Sequence, residues 1–233
     1  MLVLGVPYRN PALVAKMLAT LDVISHGRII AGLGAGWHEQ EFAAYGWPFP
    51  DLAGRMDRLE EAVQVIDALL RERPASFQGQ HFTLDRALND PRPVRQPRPR
   101  ILVAGNGERR TLRIVARYAE LCNVYGTVEE VGRKFDVLRR HCEEVGRPYE
   151  AITRTINYWA IIARDEADRA AQAARYPVQL PPQTPPELID SLRAYEAADA
   201  QYAIVKILGA DDLGRVRLFA ELVLPAFAAD VPC

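Results

Sequence analysis

Little in this sequence points to a disulfide framework, a membrane or a nucleic acid. Its three cysteines, Cys122, Cys142 and Cys233, are an odd number with no CxxC spacing. They read as reduced thiols in a cytoplasmic protein, and no metal site is expected. No apolar run approaches the ~20 residues of a membrane span. The start, MLVLGVPYRNP, has no basic leader and is broken by Pro7 and Arg9, so it does not read as a signal peptide. Basic and acidic residues number 29 and 30, a net charge of −1, so no global field favours nucleic acid or membrane.

What is present is a soluble globular composition, 49% hydrophobic and 25% charged, over 233 residues that can form one domain. The stretch Arg28–Glu39, RIIAGLGAGWHE, is its organising feature. Ile29, Ile30, Ala31 and Leu33 suit a strand buried in a parallel sheet. Gly32, Gly34 and Gly36 then permit a sharp turn close to whatever lies above the strand end. A helix over Glu39–Tyr45 would start there, and a helix start favours an anion. A tight turn without a ligand satisfies the same residues.

Strand and helix signals alternate along the rest of the chain. Leu2–Val6 reads as a strand, and Asn10–Pro11 as a helix start. Leu13, Met17, Leu21 and Ile24 recur at helical spacing and predict the core face of a helix over 11–24. A long helix is expected over about 54–73, with Met56, Leu59, Val63, Ile66 and Leu70 inward. A hairpin bends at Gly79, and a loop rich in proline and arginine covers 90–100. The strand Ile101–Ala104 runs into Gly105-Asn106-Gly107, repeating the strand–glycine–helix design, with a helix over 108–119. Later strands are expected at 121–125, 153–163 and a buried 202–208, with helices over 128–145, 165–175, 186–198 and 213–228. Pro177–Pro186, with five prolines, reads as an extended insertion. Six strands result, and the alternation fits a doubly wound sheet or a (β/α)8 barrel.

YRNPALVAKMLATLDVISHGRIIAGLGAGWHEQEFAAYGWPFP, then RMDRLEEAVQVIDALL, then PRPVRQPRPRILVAGNGERRTLRIVARYAELCNVYG, resembles the bacterial luciferase-like superfamily, most closely its branch using the deazaflavin coenzyme F420. The resemblance spans essentially the whole chain. It implies an α/β fold of the (β/α)8 TIM-barrel type, in a single domain over 1–233 with insertions near 74–100 and 177–186. At roughly 30 residues per βα unit, the chain would enter at the third strand, about 60 residues in.

The resemblance also assigns roles. It implies that Leu2, Val3 and Gly5 back the coenzyme ring, with a non-proline cis peptide near Leu2–Val3. Ala35, Gly36 and Gln40 would lie beside the coenzyme. Gly105, Asn106, Gly107 and Glu108 would cradle a phosphate, and Tyr125 with Gly126 would reach the ring's far side. Trp37 would wall a substrate pocket or pack under a loop. His38 is a candidate proton donor or a solvated residue, and no catalytic residue is assigned beyond these two. The resemblance further implies glycine as the usual residue at Asp199, so slight strain is expected there.

Eight arginines lie between Arg92 and Arg117 with one acid, Glu108. They suit a solvated face, or the attraction of the anionic F420 tail. The implied activity is hydride transfer between F420 and a small organic substrate, in a homodimer or other homo-oligomer. A monooxygenase using reduced flavin mononucleotide (FMN) and a non-catalytic relative are the alternatives. GLGAGW lacks the G-x-G-x-x-G spacing and the following strand of a nicotinamide-binding fold.

Overall fold

A computed structural model describes residues 2–176 and 180–228. The chain divides into two compact units, 1–123 with 136–153, and 124–135 with 154–233.

The first unit contains β1 (Leu4–Gly5), α1 (Pro11–Ile24), β2 (Ile30–Gly34), α2 (Glu39–Ala44), α3 (Leu52–Arg71), the hairpin β3 (Ala75–Gln78) and β4 (Thr83–Ala87), β5 (Arg100–Ala104), α4 (Thr111–Tyr118) and β6 (Leu121–Val124). Its main strands are parallel in the order β1-β2-β5-β6. Leu33 lies opposite Leu4 on one side and Val103 on the other, and Val103 opposite Cys122. Parallel neighbours need a crossover, which the intervening helices supply. Ala31, Leu33, Ile101, Leu102 and Val103 are buried, and α3 adds Leu59, Val63, Ile66 and Leu70 as its spacing predicts.

α1 has the expected bounds, and its Asn10 cap accepts the Ala12 amide at 2.8 Å. Its buried face is the opposite of the expected one. Val14, Ala15, Ala19 and Asp22 are buried, whereas Met17, Leu21, Leu13 (53% exposed) and Ile24 (68% exposed) are not. The helix has two apolar stripes, and small alanines let the first approach its neighbours closely. Asp22 is also buried, one of its carboxylate oxygens accepting the Arg95 amide at 2.9 Å.

Two ionised side chains organise the surrounding loops. Glu61 of α3 accepts the amides of Gln80, His81 and Phe82 at 2.8, 2.8 and 3.1 Å, fixing the hairpin tip. Arg98 is buried between Asp67 and Glu120, reaching Glu120 at 2.8 Å.

The second unit holds the start of α5 (Val128–Val145), β7 (Thr153–Ala160), α6 (Glu166–Arg175), α7 (Pro185–Ala197), β8 (Tyr202–Ile207) and α8 (Leu213–Leu218). β7 and β8 are parallel, with Thr155 opposite Tyr202 and Ala160 opposite Ile207. Ala160, Ile162, Leu188, Leu192 and Val223 form the core. β8 is not the buried strand its composition predicts. Among the described residues it pairs with β7 alone, and Tyr202, Ala203 and Lys206 are exposed. The closing helix is also broken, passing into a π turn at Phe219–Val223 and a 3-10 turn at Leu224–Ala226.

Arg215, buried, binds the Asp168 carboxylate at 2.8 and 2.9 Å and the Ile162 carbonyl. Asp199 has φ +74, as the helix end requires, and binds buried Arg154 through its carbonyl at 3.0 Å and its carboxylate at 2.9 Å. Of the expected insertion, residues 177–179 lie outside the described residues. Gln183 bridges Ile162, and Pro185 already opens α7.

Candidate cofactor-binding site

In the first unit, parallel pairing brings the strand ends to one edge. Gly5 lies opposite Gly34, and Ala104 opposite Asn123. A β-carbon built on Gly34 would come within 3.6 Å of the Ala104 carbonyl oxygen, so the two glycine-lined bends open side by side.

The first bend runs through Gly34, Ala35 and Gly36. Only Gly36, with φ +79, adopts a conformation that favours glycine. Gly32 and Gly34 are glycines for another reason, because a β-carbon on either would lie 2.9 Å from a Val3 methyl. Val3 therefore lies against the β2 backbone, and the peptide before it, Leu2–Val3, is cis. Arg55 of α3 holds the bend by donating to the Gly36 carbonyl while its guanidinium covers the Phe49 ring at 4.2 Å.

Tyr8 and Glu41 complete this side, and neither stands out in the sequence. The Tyr8 ring fills the space beside Gly5, and its hydroxyl donates to the Glu41 carboxylate. That bond, with some burial, pushes the Tyr8 hydroxyl up to about 12, so it stays protonated as a donor. Phe42 and Trp47 pack against the same ring at 4.7 and 5.5 Å.

Trp37 is 81% exposed, so it is not packed under a loop, and its ring stacks on His38 at 4.8 Å. The His38 carbonyl accepts the Glu41 amide at 3.0 Å, but its imidazole has no hydrogen-bond partner among the described residues that would orient it as a proton donor. Gln40 is exposed at the start of α2.

The second bend spans Gly105 to Glu108, and α4 begins three residues later than its pattern predicts. Gly105 has φ +142, and its amide donates to the Asn123 carbonyl at 3.0 Å. A β-carbon on Gly107 would sit 2.7 Å from the Thr111 hydroxyl oxygen. Only glycine lets the chain pass this close to the helix start, the arrangement in which backbone amides line a phosphate. The residues present thus fit a small anionic group.

The neighbouring arginines have mixed roles. Arg98 is internal, Arg92 binds the carbonyls of Arg71 and Glu72, Arg110 binds Asp57, and Arg117 binds Glu60 at 3.1 Å. Their partners lie far away in sequence, so the local stretch does not contain them. In the second unit, Gly126 has φ +141, its carbonyl accepts the Tyr195 hydroxyl at 2.8 Å, and Tyr125 is exposed.

Residues 3–215 match the luciferase-like monooxygenase family. The chain belongs to that family. A pyrimidine monooxygenase, RutA, of Variovorax paradoxus is 32% identical over 165 residues, 70% of this chain and 44% of that protein. An F420-dependent glucose-6-phosphate dehydrogenase of Amycolatopsis mediterranei is 34% identical over 110 residues, 47% of this chain and 31% of that one. The chain thus spans less than half the length of these curated relatives. Among solved structures, an F420-dependent secondary alcohol dehydrogenase bound to an F420–acetone adduct superposes with a TM-score of 0.83 at 19% identity, over 97% of this chain and 78% of that one. The EDTA monooxygenase of Chelativorans sp. BNC1 gives 0.76 at 17% identity, over 98% and 72%. These likenesses establish the luciferase-like TIM-barrel fold. Family members with both F420 and reduced-flavin chemistry are among the relatives. No described helix is long and apolar enough to cross a membrane.

Proposed function

We infer that this chain is an oxidoreductase that transfers a hydride between coenzyme F420 and a small organic substrate. The observation that carries the reading is the side-by-side placement of the two glycine bends at the C-terminal ends of adjacent parallel strands, where barrel enzymes place their chemistry. Val3 and Gly5 would support one face of the ring. The backbone at Ala35 and Gly36 would lie along its edge, and Gly105–Glu108 would receive the phosphate. When bound, F420 supplies a hydride-accepting and hydride-donating carbon. The protein supplies orientation and a shielded surface, with Arg55 and the Tyr8–Glu41 pair keeping the first bend rigid.

A second reading, a monooxygenase using reduced FMN, is favoured by the longer match to RutA than to the F420-dependent dehydrogenase, 165 residues against 110. Titration of the protein with F420, followed by coenzyme fluorescence, tests the first reading and should saturate. Oxygen consumption with reduced FMN but no F420 binding would replace it with the second. Binding of neither cofactor at high micromolar protein would leave a non-catalytic family member.

A further inference from the structure

The second bend is held by a residue that no motif announces. His141, on α5, places Nε2 2.8 Å from the Glu108 carbonyl oxygen and Nδ1 3.2 Å from the Glu144 carboxylate. A carbonyl oxygen only accepts, so Nε2 carries the donated proton. The Gly107 carbonyl is also engaged, accepting the Leu112 amide at 3.1 Å. The last two carbonyls of this turn are therefore tied to the body of the unit. In a trans peptide the N–H points opposite to the preceding C=O. Each tie accordingly turns the following amide, of Glu108 or Arg109, away from its anchor. Successive amides so turned are what an anion-binding turn requires.

We propose that His141 is a positioning residue for this cradle, fixing the peptide plane between Glu108 and Arg109 so that the Arg109 amide is presented to a phosphate-class oxyanion. The proposal rests on the reading of Gly105–Glu108 as the phosphate cradle. It adds a side chain from a distant helix, 33 residues along the chain, that sets the cradle's geometry.

The test compares His141→Ala and His141→Gln with the wild type. A glutamine carboxamide has an N–H that can donate to the same carbonyl, so it should restore what alanine loses. In the ligand-free protein, exchange of the Gly105 amide, which donates to the Asn123 carbonyl within residues 105–110, should be about tenfold faster in His141→Ala and near wild type in His141→Gln. FMN and riboflavin share a ring and differ by the phosphate. Affinity for F420, or for FMN where the second reading holds, should fall about tenfold in His141→Ala and recover in His141→Gln, with riboflavin affinity changed less than about twofold in either.

Unchanged exchange at Gly105, a uniform rise across the chain, equal loss of the cofactor and riboflavin, or failure of glutamine to restore would each overturn the proposal. Inorganic pyrophosphate separates it from the cofactor reading. A wild type that binds pyrophosphate in a His141-dependent manner, but neither FMN nor F420, supports the cradle and refutes the cofactor. Binding of none of the three overturns both.

Discussion

Val3 lies across the backbone of Gly32, so close that a β-carbon there would stand 2.9 Å from Val3 Cγ1. The same side chain stands equally close to Gly34 through its other methyl. Two of the glycines in the GLGAG run are thus complementary to a β-branched neighbour on β1. The turn itself falls to Gly36.

Gly32→Ala should therefore destabilise the protein by about 1–3 kcal/mol, since valine is stiff and the overlap needs a backbone shift. Combining it with Val3→Ala should recover much of that loss, because the second change removes the clashing methyls. Urea unfolding of the two single variants and the double variant gives the coupling directly. Additive losses would contradict the packing described.

The two faces of α1 should respond oppositely. Val14→Ala removes buried methyls and should cost about 2 kcal/mol. Met17→Lys lies on the exposed face and should change stability by less than about 0.5 kcal/mol. The reverse order would restore the face that periodicity alone suggests.

Tyr8 gives an alkaline signature. Its hydroxyl is held at about 12 by the bond to Glu41, above the ~10 of an unfolded tyrosine. Its stabilising contribution is complete below pH ~10 and is lost as pH rises from there through about 12. Tyr8→Phe should cost about 1–2 kcal/mol at pH 8 and lack that part of the alkaline loss. Denaturation midpoints measured from pH 8 to 12 check both statements.

Asp168 gives the acid counterpart. The Arg215 guanidinium beside it, against the opposing effect of burial, holds its carboxyl well below the usual carboxylate range. The contribution of the ionised pair is present above pH ~4 and is lost as pH falls toward that depressed value. Asp168→Asn should cost roughly 3 kcal/mol at pH 7 because buried Arg215 loses its two short carboxylate contacts and keeps only the longer one to Asp212 at 3.5 Å. It should also flatten the stability profile below pH 4, as read by urea titration at each pH.

Much of this molecule is legible in local sequence. Asn10–Pro11 announces the start of α1, and the spacing of Leu59, Val63, Ile66 and Leu70 announces the buried face of α3. The two strand–glycine bends are equally plain, because a chain turning that tightly requires glycine nearby. Where an apolar stripe has a rival, as in α1, periodicity cannot choose between them. Only the neighbours present decide which stripe packs. β8 looks buried by composition, yet Tyr202, Ala203 and Lys206 are exposed and Val205 and Ile207 only partly buried, because its faces are incompletely covered.

Short-range patterns carry the alternation of strands and helices, the positions of the turns and membership of a family, so these can be read along the chain. Packing in three dimensions is what brings Val3 against Gly32, Arg98 and Arg117 to their distant acids, and His141 to Glu108. Each of these pairs residues about 20 or more positions apart. Their contact depends on how the strands and helices pack, and neither residue's immediate neighbours encode it.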